Sequence, residues 1–421
     1  MKKYLFLLTV LLLMAAGQSC SSDDDGQAPE PVIDPVELPE TTKLTRSEQE
    51  LVNHSNEFAF TLFRQAQDVK ISQVLSPLSV TFALGMLNNG AAGMTQVQIN
   101  NVLGFGHTGA DGINQFCYKM LTMAPELDSL TKVMIANAIY MNQPRQLLPT
   151  FEAKAKSFYN ATLESRNFYD GKTMDVINQW VSDHTETMIR RVFTEASFNP
   201  DAASYLLNAI YFKGSWTNKF DKELTTKEEF CHAGESEELS YCDMMHQSGK
   251  FKYGETDDFQ ILRMPYGNES YQMTVLLPKV HEGQPANVLP TVPTAAEWQQ
   301  MNEKMYTQLV YISFPRFETD TNIDLMPIMY RLGMTKAFQI GVAEFPEFCN
   351  TETYIDDIFQ VAKIKVNEEG TEAAAVTVIE GVDGVGHEDH IKVFRANHPF
   401  LYVISDKNTG AVFFIGQYTG N

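Results

Sequence analysis

The chain has 421 residues, of which 44% are hydrophobic and 11% aromatic, so it can bury a large core and belongs to the ordinary globular class. Its 32 Lys and Arg residues against 53 Asp and Glu residues give a formal net charge of −21. Because so acidic a chain without a basic stripe repels phosphate backbones, nucleic acid is excluded as a partner.

Residues 1–19 have the features of an export signal. Lys2 and Lys3 precede an apolar run that is too short to span a bilayer with ease. The next residues, Ala-Ala-Gly-Gln-Ser-Cys, resemble the lipobox of bacterial lipoproteins, although Gly17 stands where an aliphatic residue is commoner. An ordinary cleaved signal with a chance cysteine is the alternative. We expect a lipoprotein signal peptide, with lipidation of Cys20 as the new N-terminus.

The residues after Cys20 predict a tether and a location. The tract Ser-Ser-Asp-Asp-Asp at 21–25 is similar to the one that marks surface-exposed lipoproteins of Bacteroidetes-type bacteria. Residues 20–45 are rich in Asp, Pro, Glu and Thr and cannot bury enough apolar surface to fold. We therefore expect an exported outer-membrane lipoprotein on the cell surface, with a flexible tether over 20–45, a folded domain over 46–421, and membrane contact through the lipid alone.

Two helix starts follow in the folded part. Ser47 with Glu50 fits a capping box that opens a first helix. Ser76 followed by Pro77 predicts the start of a second helix, because a capping Ser and a Pro at the first helical position favour one. This second helix is expected to end near Gly90.

The rest of the chain mixes strand and helix patterns irregularly. Apolar runs of strand length occur at 131–141, 203–213, 272–277, 308–315, 391–394 and 400–404, and helical patterns near 150–160, 173–191 and 323–333. A hairpin around 407–410 is expected to close the chain. The order lacks the rhythm of a parallel βαβ protein and shows no repeat or internal linker, which predicts one α+β domain.

The cysteines give no metal or redox motif. Besides Cys20 the chain has Cys117, Cys231, Cys242 and Cys349, with no CxxC pair and no zinc-like spacing. Cys231 and Cys242 flank a polar stretch of hairpin length, so a cross-strand disulfide is one option outside the cytoplasm. Four unpaired, mostly buried thiols are the interpretation that we favour.

Signatures of common catalytic centres are absent from the sequence. There is no GxSxG elbow, HExxH, SxxK or Walker-type loop. The glycine-punctuated run at 381–386 is not followed by a helix pattern, and the His-Glu-Asp-His run at 387–390 consists of adjacent residues, which rarely form a preorganised metal site. The sequence predicts no enzyme, no cofactor and no metal.

The segment 370–390 combines a strand pattern with a loop pattern. Its first half places small residues on one face of an extended chain, namely Thr371, Ala373, Ala375, Thr377 and Ile379. Both charges, Glu372 and Glu380, fall on the other face. The second half is polar and interrupted by glycines, as in an exposed loop. The segment is therefore able to enter a sheet with its small face inward.

Four motifs, in order, resemble those of the serpin family. One is similar to the hinge of the family's reactive loop and comprises Glu368, Glu369, Gly370, Thr371, Glu372, Ala373, Ala374 and Ala375. The others are the family signature downstream of the loop at 394–404, a motif at 208–216 and a short one at 76–79. The resemblance covers about residues 46–420.

The resemblance implies an α+β fold of three β-sheets and eight or nine helices, with an exposed reactive-centre loop. It implies an irreversible, single-use inhibitor of serine or cysteine peptidases, which traps the acyl-enzyme by inserting the cleaved loop into the central sheet. The small residues on the inward face suit rapid entry, because large or charged groups there would resist burial. The alternative is a non-inhibitory surface lipoprotein that uses the scaffold to bind a partner. A monomer is expected.

The resemblance also assigns two structural sites. It places Trp216 under the point where the sheet opens, and it pairs Arg316 with Glu368. The alternative for Arg316 is a solvated charge that contributes less than ~1 kcal/mol. A polar shutter beneath the sheet centre is assigned to Ser76, Ser79, Asn208 and Gln360. A His is common in the family where Gln360 stands; Gln can replace its hydrogen bonds but not its titration.

The cleaved bond is expected within 382–388. Counting from the hinge, as the family does, puts it between Gly384 and Val385, whereas counting back from Pro399 suggests a site near Glu388. The two counts differ because this loop is longer than is usual in the family. We prefer the hinge count, since the length of inserted strand is set from that side.

The residues before the bond indicate the class of target. Val382 suits elastase-like pockets, Asp383 an acid-specific peptidase, and Gly384 a subtilisin-like enzyme. Because no Lys or Arg lies between Lys365 and Lys392, a trypsin-like target is disfavoured.

Overall fold

The computed structural model describes residues 44–106, 108–233, 239–280, 288–370 and 391–420. The helices in these ranges are α1 (Arg46–Ala66), α2 (Pro77–Asn88), α3 (Gly93–Leu103), α4 (Gly109–Met123), α5 (Pro149–Tyr159), α6 (Lys172–His184), α7 (Ala295–Glu303) and α8 (Met326–Arg331). The strands are β1 (Gln73–Leu75), β2 (Thr131–Asn142), β3 (Thr162–Arg166), β4 (Ser204–Gly214), β5 (Thr226–Cys231), β6 (Leu239–Glu255), β7 (Phe259–Tyr266), β8 (Tyr271–Pro278), β9 (Tyr306–Pro315), β10 (Phe317–Asp324), β11 (Asp357–Val366), β12 (Lys392–Arg395), β13 (Phe400–Asp406) and β14 (Val412–Tyr418).

The first two helices begin at caps. Helix α1 starts two residues earlier than predicted, because its capping box is formed by Thr45 and Glu48 rather than by Ser47 and Glu50. The Glu48 carboxylate accepts from the Thr45 backbone N–H at 2.7 Å. Helix α2 begins at Pro77 with Ser76 as its cap, as predicted, and every residue of this helix is buried. Of the helices in the described ranges, none is long and apolar enough to cross a bilayer.

Two continuous sheets organise the described strands. One has five strands in the order β10-β11-β4-β2-β3, and the other has nine, along the path β1-β14-β13-β8-β7-β6-β9-β12 with β5 beside β6. The predicted three sheets appear as two continuous sheets. The reason is that β6, a strand of 17 residues, pairs with β5, β7 and β9 and so joins two groups of strands. The α+β class is confirmed, and the closing hairpin is β13–β14.

The core lies on both faces of the five-stranded sheet. Helix α2 packs between this sheet and the nine-stranded one, within the larger hydrophobic cluster. A second cluster covers the opposite face, where α6 contributes Ile177, Trp180 and Val181. The five-stranded sheet is therefore buried on both faces, and any strand added to it enters a covered layer.

Two helix predictions need correction. The pattern at 173–191 gives a helix only to His184, since Glu186 and Thr187 adopt positive φ angles of 48° and 63°, which end the helix. The pattern at 323–333 gives only the six-residue α8, because the residues before it alternate in burial and form the end of β10.

The four cysteines in the described part of the chain are unpaired. Cys231 lies opposite Leu239 and Cys242 lies opposite Glu228, so β5 and β6 do not bring the two thiols together. Cys117 and Cys349 are buried. The interpretation with free thiols is the one that the structure supports, and the disulfide option is wrong in this conformation.

A first prediction concerns Asp357 at the start of β11. Burial, with Asp324 and Asp356 nearby, raises the pKa of this carboxyl to about 6. A carboxyl whose pKa is raised by folding stabilises the fold at low pH and loses that contribution as the pH rises through about 6. Asp357→Asn should therefore raise Tm by roughly 2 °C at pH 7.5 and by much less at pH 4.5, as followed by circular dichroism.

The control is Asp320→Asn, on the exposed side of β10. If Asp357→Asn shifted Tm equally at both pH values, the proposed burial of a carboxylate at the base of β11 would be contradicted.

Candidate functional site

The pairing between β4 and β11, which we call the seam, is the parallel contact at the centre of the five-stranded sheet. Its ladder has six residue pairs, from Asp357–Tyr205 to Ala362–Ile210. Beyond that point β11 continues its pairing with β10 as far as Val366, and β4 continues with β2 as far as Gly214. The seam is thus shorter than the two strands that form it. Beyond it, the C-terminal end of each strand, here called its upper end, pairs with the neighbouring strand on its other side.

Buried polar side chains tie the lower seam to the start of α2. Gln360 Nε2 donates to the Ser76 carbonyl at 2.7 Å, and Gln360 Oε1 accepts from the Ser76 N–H at 3.0 Å. Ser79 Oγ donates to Asn208 Oδ1. Asn208 and Gln360 are partners across the seam, so α2 holds one residue on each strand.

The four predicted shutter residues therefore lie together. A fifth residue, which the sequence did not reveal, belongs to the same hydrogen-bonded cluster. Asn208 Nδ2 donates to Asn137 Oδ1 at 2.8 Å, and Asn137 Nδ2 donates to the Tyr159 carbonyl at 3.0 Å. Asn137 is buried in β2. Its only signal in the sequence is that it is an amide within an apolar run, which does not by itself distinguish a shutter residue from an ordinary core amide.

Trp216 closes the top of the seam. Its ring stacks on Tyr266 with centroids 4.3 Å apart and planes 11° apart. The indole Nε1 donates to the Asn367 carbonyl at 2.9 Å, and the Trp216 backbone N–H donates to the Glu369 carbonyl at 2.9 Å. Trp216 thus joins the chain that follows β4 to the chain that follows β11, beneath the hinge as predicted.

Gly370 occupies a position that only glycine fits. Its φ is +127°, a conformation that residues with a side chain rarely adopt. A Cβ there would lie 2.3 Å from the Gly214 carbonyl oxygen and 2.5 Å from the Trp216 backbone nitrogen. Gly370 also exchanges backbone hydrogen bonds with Asn367, at 2.9 and 3.1 Å. The chain therefore makes a tight turn directly before the loop.

The predicted pair between Arg316 and Glu368 is present, and it is buried on the acid's side. Arg316 holds the carboxylate with two nitrogens, Nη2 on Oε1 and Nε on Oε2 at 3.2 Å. Thr225 Oγ1 adds a hydrogen bond at 2.7 Å, and the Glu368 side chain is 2% exposed. Burial raises the pKa of Glu368, but the hydrogen bonds from Arg316 and Thr225 lower it more, so the group stays ionised.

Glu369 is held by a separate pair of cations. Lys219 Nζ lies 3.1 Å and Lys222 Nζ 2.8 Å from its carboxylate oxygens. The backbone carbonyl of Glu368 accepts from the Phe220 N–H at 3.0 Å. The sequence showed two adjacent hinge acids but gave no sign of these cations, because Lys219 and Lys222 lie far away along the chain.

A strap, residues 185–203, crosses the outer face of the seam. The Phe193 ring contacts Phe359 of β11 with centroids 5.2 Å apart and Tyr205 of β4 at 4.5 Å. Asn178 on α6 binds the strap with three hydrogen bonds of 2.9 to 3.0 Å to the backbone of Val192 and Phe193. The strap therefore contacts both strands of the seam and is fixed to α6.

Several predicted site residues lie outside the described ranges. They are the hinge residues Thr371, Glu372, Ala373, Ala374 and Ala375, the scissile candidates Val382, Asp383, Gly384 and Val385, and the lipidation candidate Cys20. Within the described ranges, no group of three or more His, Cys, Asp or Glu residues is arranged to hold a metal ion.

The comparison with known families agrees with this geometry. The model of the family described as "Serpin (serine protease inhibitor)" matches residues 53–420. The chain belongs to the serpin family, and membership of this family supports a function of the protease-inhibitor type in general. Serpin B6 of Pongo abelii is 30% identical over 376 residues, which cover 88% of this chain and 99% of the relative.

Solved structures show the same fold. The native state of the thermophilic serpin tengpin has a TM-score of 0.80 and 25% identity, and the match covers 92% of this chain and 97% of tengpin. Human thyroxine-binding globulin, complexed with thyroxine, has a TM-score of 0.78 and 22% identity, covering 88% of this chain and 98% of the globulin. The latter likeness establishes the fold alone.

A second prediction follows from the buried acid at the hinge. Arg316→Ala leaves the Glu368 carboxylate with Thr225 as its remaining side-chain donor. The free energy of unfolding should fall by about 2 kcal/mol, less than for a fully buried pair because Arg316 itself is half-exposed. Because the pKa of Glu368 is lowered in the folded state, the loss should be present at neutral pH and disappear as the pH falls through that pKa.

Urea unfolding followed by tryptophan fluorescence measures this loss. The matched control is Lys407→Ala, which breaks the exposed Lys407–Glu269 bridge of 2.7 Å and should cost under about 0.5 kcal/mol. Equal losses of unfolding free energy in the two variants would show that the hinge pair stabilises the fold no more than an exposed ion pair does.

Proposed function

We propose that this protein is an irreversible, single-use inhibitor of serine or cysteine peptidases, which inserts its cleaved loop into the seam. The observation that carries the proposal is the parallel pairing of β4 and β11 at the root of the loop. The chain leaving β11 reverses direction at Gly370 if it returns along the sheet. It then runs antiparallel to both strands. Two antiparallel ladders replace one parallel ladder, and parallel pairing is the slightly weaker kind per residue.

Insertion competes with ordinary hydrolysis of the acyl-enzyme. A peptidase that attacks the loop acylates its nucleophile with the residue before the cut, Gly384 by the hinge count, and releases the amine of Val385. About thirteen inserted residues of ~3.3 Å each then carry the bound peptidase on the order of 45 Å along the sheet. Inhibition requires this movement to be faster than attack by water on the ester.

The contacts across the seam define what has to open. The hydrogen bonds of Ser76 with Gln360 and of Ser79 with Asn208 hold the strands from below, and Phe193 holds them from the outer face. An entering strand offers its own backbone N–H and C=O groups to β4 and β11. The backbone groups along the seam therefore exchange partners rather than lose them, which keeps the cost of opening moderate.

The target that we propose is an elastase-like or subtilisin-like peptidase. The support is the residues at 382–384, Val-Asp-Gly, and the lack of any Lys or Arg between Lys365 and Lys392. A trypsin-like enzyme would find no basic residue to bind in its specificity pocket.

A peptidase panel tests the proposal. With at least one elastase-like or subtilisin-like enzyme we expect a covalent complex that survives SDS, and mass spectrometry of the released C-terminal peptide identifies the bond. After nicking of the loop by an enzyme that is not trapped, Tm should rise steeply. Cleaved protein without a complex and without a rise in Tm would instead identify a non-inhibitory binder on the same scaffold.

A sharper test concerns the inward face of the loop. Thr371→Arg places a cation where a small side chain has to enter a covered sheet, and an unpaired buried charge costs several kcal/mol. Insertion should slow, so that hydrolysis of the acyl-enzyme becomes the faster step. The variant should then behave as a substrate and be cleaved at the same bond as the parent. The control, Glu372→Ala, changes the adjacent outward position and should inhibit like the parent. An unchanged stoichiometry of inhibition in Thr371→Arg would contradict the inward placement.

We further propose that the protein is a monomer exported as a surface lipoprotein and anchored through Cys20. The support is the lipobox-like run that ends in Cys20 and the acidic tract after it. Cys20→Ala should abolish labelling with a fatty-acid analogue and release the protein from the membrane fraction. Membrane association that persists in Cys20→Ala would exclude this anchor.

A further inference from the structure

An apolar patch lies on the outward face of β9 and β12. Register pairs Tyr311 with Val393 on the two strands, and Leu309 and Ile391 lie two residues before each on the same face. The exposed fractions are 36% for Leu309, 42% for Tyr311, 57% for Ile391 and 56% for Val393. Val310, Ile312 and Phe394, which follow patch residues directly in the chain, are fully buried. These four side chains, here called the β12 patch, therefore form a surface and not part of the core.

The surroundings of the β12 patch are positive in a strongly acidic chain. Lys250 lies opposite Leu309 on β6, and Lys252 follows it on the same face. Both are exposed, and neither forms an ion pair with a residue that the structure describes.

The nearby acids are already neutralised. Glu228 is bound by Arg395 at 2.7 Å, and Glu255 by Lys279 and Lys392 at 2.8 and 3.3 Å. Among the described residues named here, the charges that no ion pair neutralises are therefore those of the two lysines. Apolar side chains with a positive rim fit a partner that presents apolar groups and carboxylates.

Chain length places a captured peptidase within reach of this patch. If the bond before Val385 lies in the enzyme's cleft, seven residues of at most about 3.5 Å each keep the cleft within ~25 Å of Ile391. A peptidase of ordinary domain size is roughly 40 Å across, so its surface reaches β12. Specific complexes bury about 800 Å² on each partner, so a surface within reach of the cleft is able to belong to the interface.

We infer that the β12 patch, with Lys250 and Lys252, is a second contact surface for the target peptidase and selects enzymes with an apolar, acidic rim beside the cleft. This inference rests on the proposed function and adds to it a determinant of target choice outside the loop. The patch acts before acylation: it raises the rate of encounter and leaves the later competition between insertion and hydrolysis unchanged.

The test uses two double variants of the full chain and the peptidase that the panel identifies. Leu309→Thr with Val393→Thr removes apolar surface and keeps β-branched residues that suit a strand. Lys250→Glu with Lys252→Glu reverses the rim charge. Each should lower the association rate constant on the order of tenfold. The charge effect should fade towards 1 M salt, where the screening length is about 3 Å.

Controls separate the patch from the loop. Ile340→Thr alters a side chain that is 75% exposed, in the segment that leads to the start of β11, at the opposite end of that strand from the hinge. It should leave the rate constant unchanged. A synthetic peptide of residues 368–391 should be cleaved by the peptidase at its usual rate, and the stoichiometry of inhibition should be the same in parent and variants.

The outcomes distinguish the two proposals. If the parent forms the covalent complex and both double variants form it equally fast, the second contact surface is refuted while the inhibitor stands. If the parent forms no complex, the inhibitor proposal fails. The second contact surface is then tested by the Kd for the peptidase with its active-site Ser replaced by Ala. Weaker binding by the variants than by the parent supports that surface, and equal binding refutes it. A parent dimer in sedimentation velocity that the variants dissociate would assign the patch to a second copy and refute the inference.

Discussion

The seam between β4 and β11 is held by fewer backbone hydrogen bonds than its strands have residues to offer. Its ladder ends at Ala362. Side-chain contacts reinforce it within the ladder through the shutter and Phe193, and beyond the ladder through Trp216. A sheet joined in this way combines strong outer ladders with a weak middle. The proposed function depends on that imbalance, because the sixth strand of the proposal would enter between β4 and β11.

The described part of the hinge, residues 368–370, contrasts with the seam, since specific contacts hold each of its three residues. Glu368 and Glu369 point to different cations, and Gly370 packs backbone against backbone where no side chain fits. Glu368, Glu369 and Gly370 therefore fix a well-fitted turn after β11, which the proposed insertion would have to open.

Sequence reasoning located the hinge acids, Trp216 and the four shutter residues, because they lie inside motifs with fixed spacing. It failed where the physical signal is ambiguous. Two overlapping Ser/Thr-x-x-Glu patterns compete at the start of α1, and the one beginning at Thr45 forms the cap. The polar, 17-residue β6 has no apolar run to mark it, and Asn137 is buried in a strand that looks entirely apolar. The strap was hidden because its contacts bring together residues far apart in sequence, such as Phe193 and Phe359.

The stacking of Trp216 on Tyr266 gives the molecule an optical reporter of its own hinge. The chain has three tryptophans, and they lie in different parts of the fold. They are Trp216 at the hinge, Trp180 on α6 and Trp298 on α7 beside Phe60. Departure of Asn367 from the Trp216 indole removes a hydrogen bond from one chromophore and leaves Trp298 as an internal reference. The intrinsic fluorescence of the unlabelled protein therefore carries the time course of hinge release, and chains that retain only one of the three tryptophans would resolve whether α6 moves before or after it.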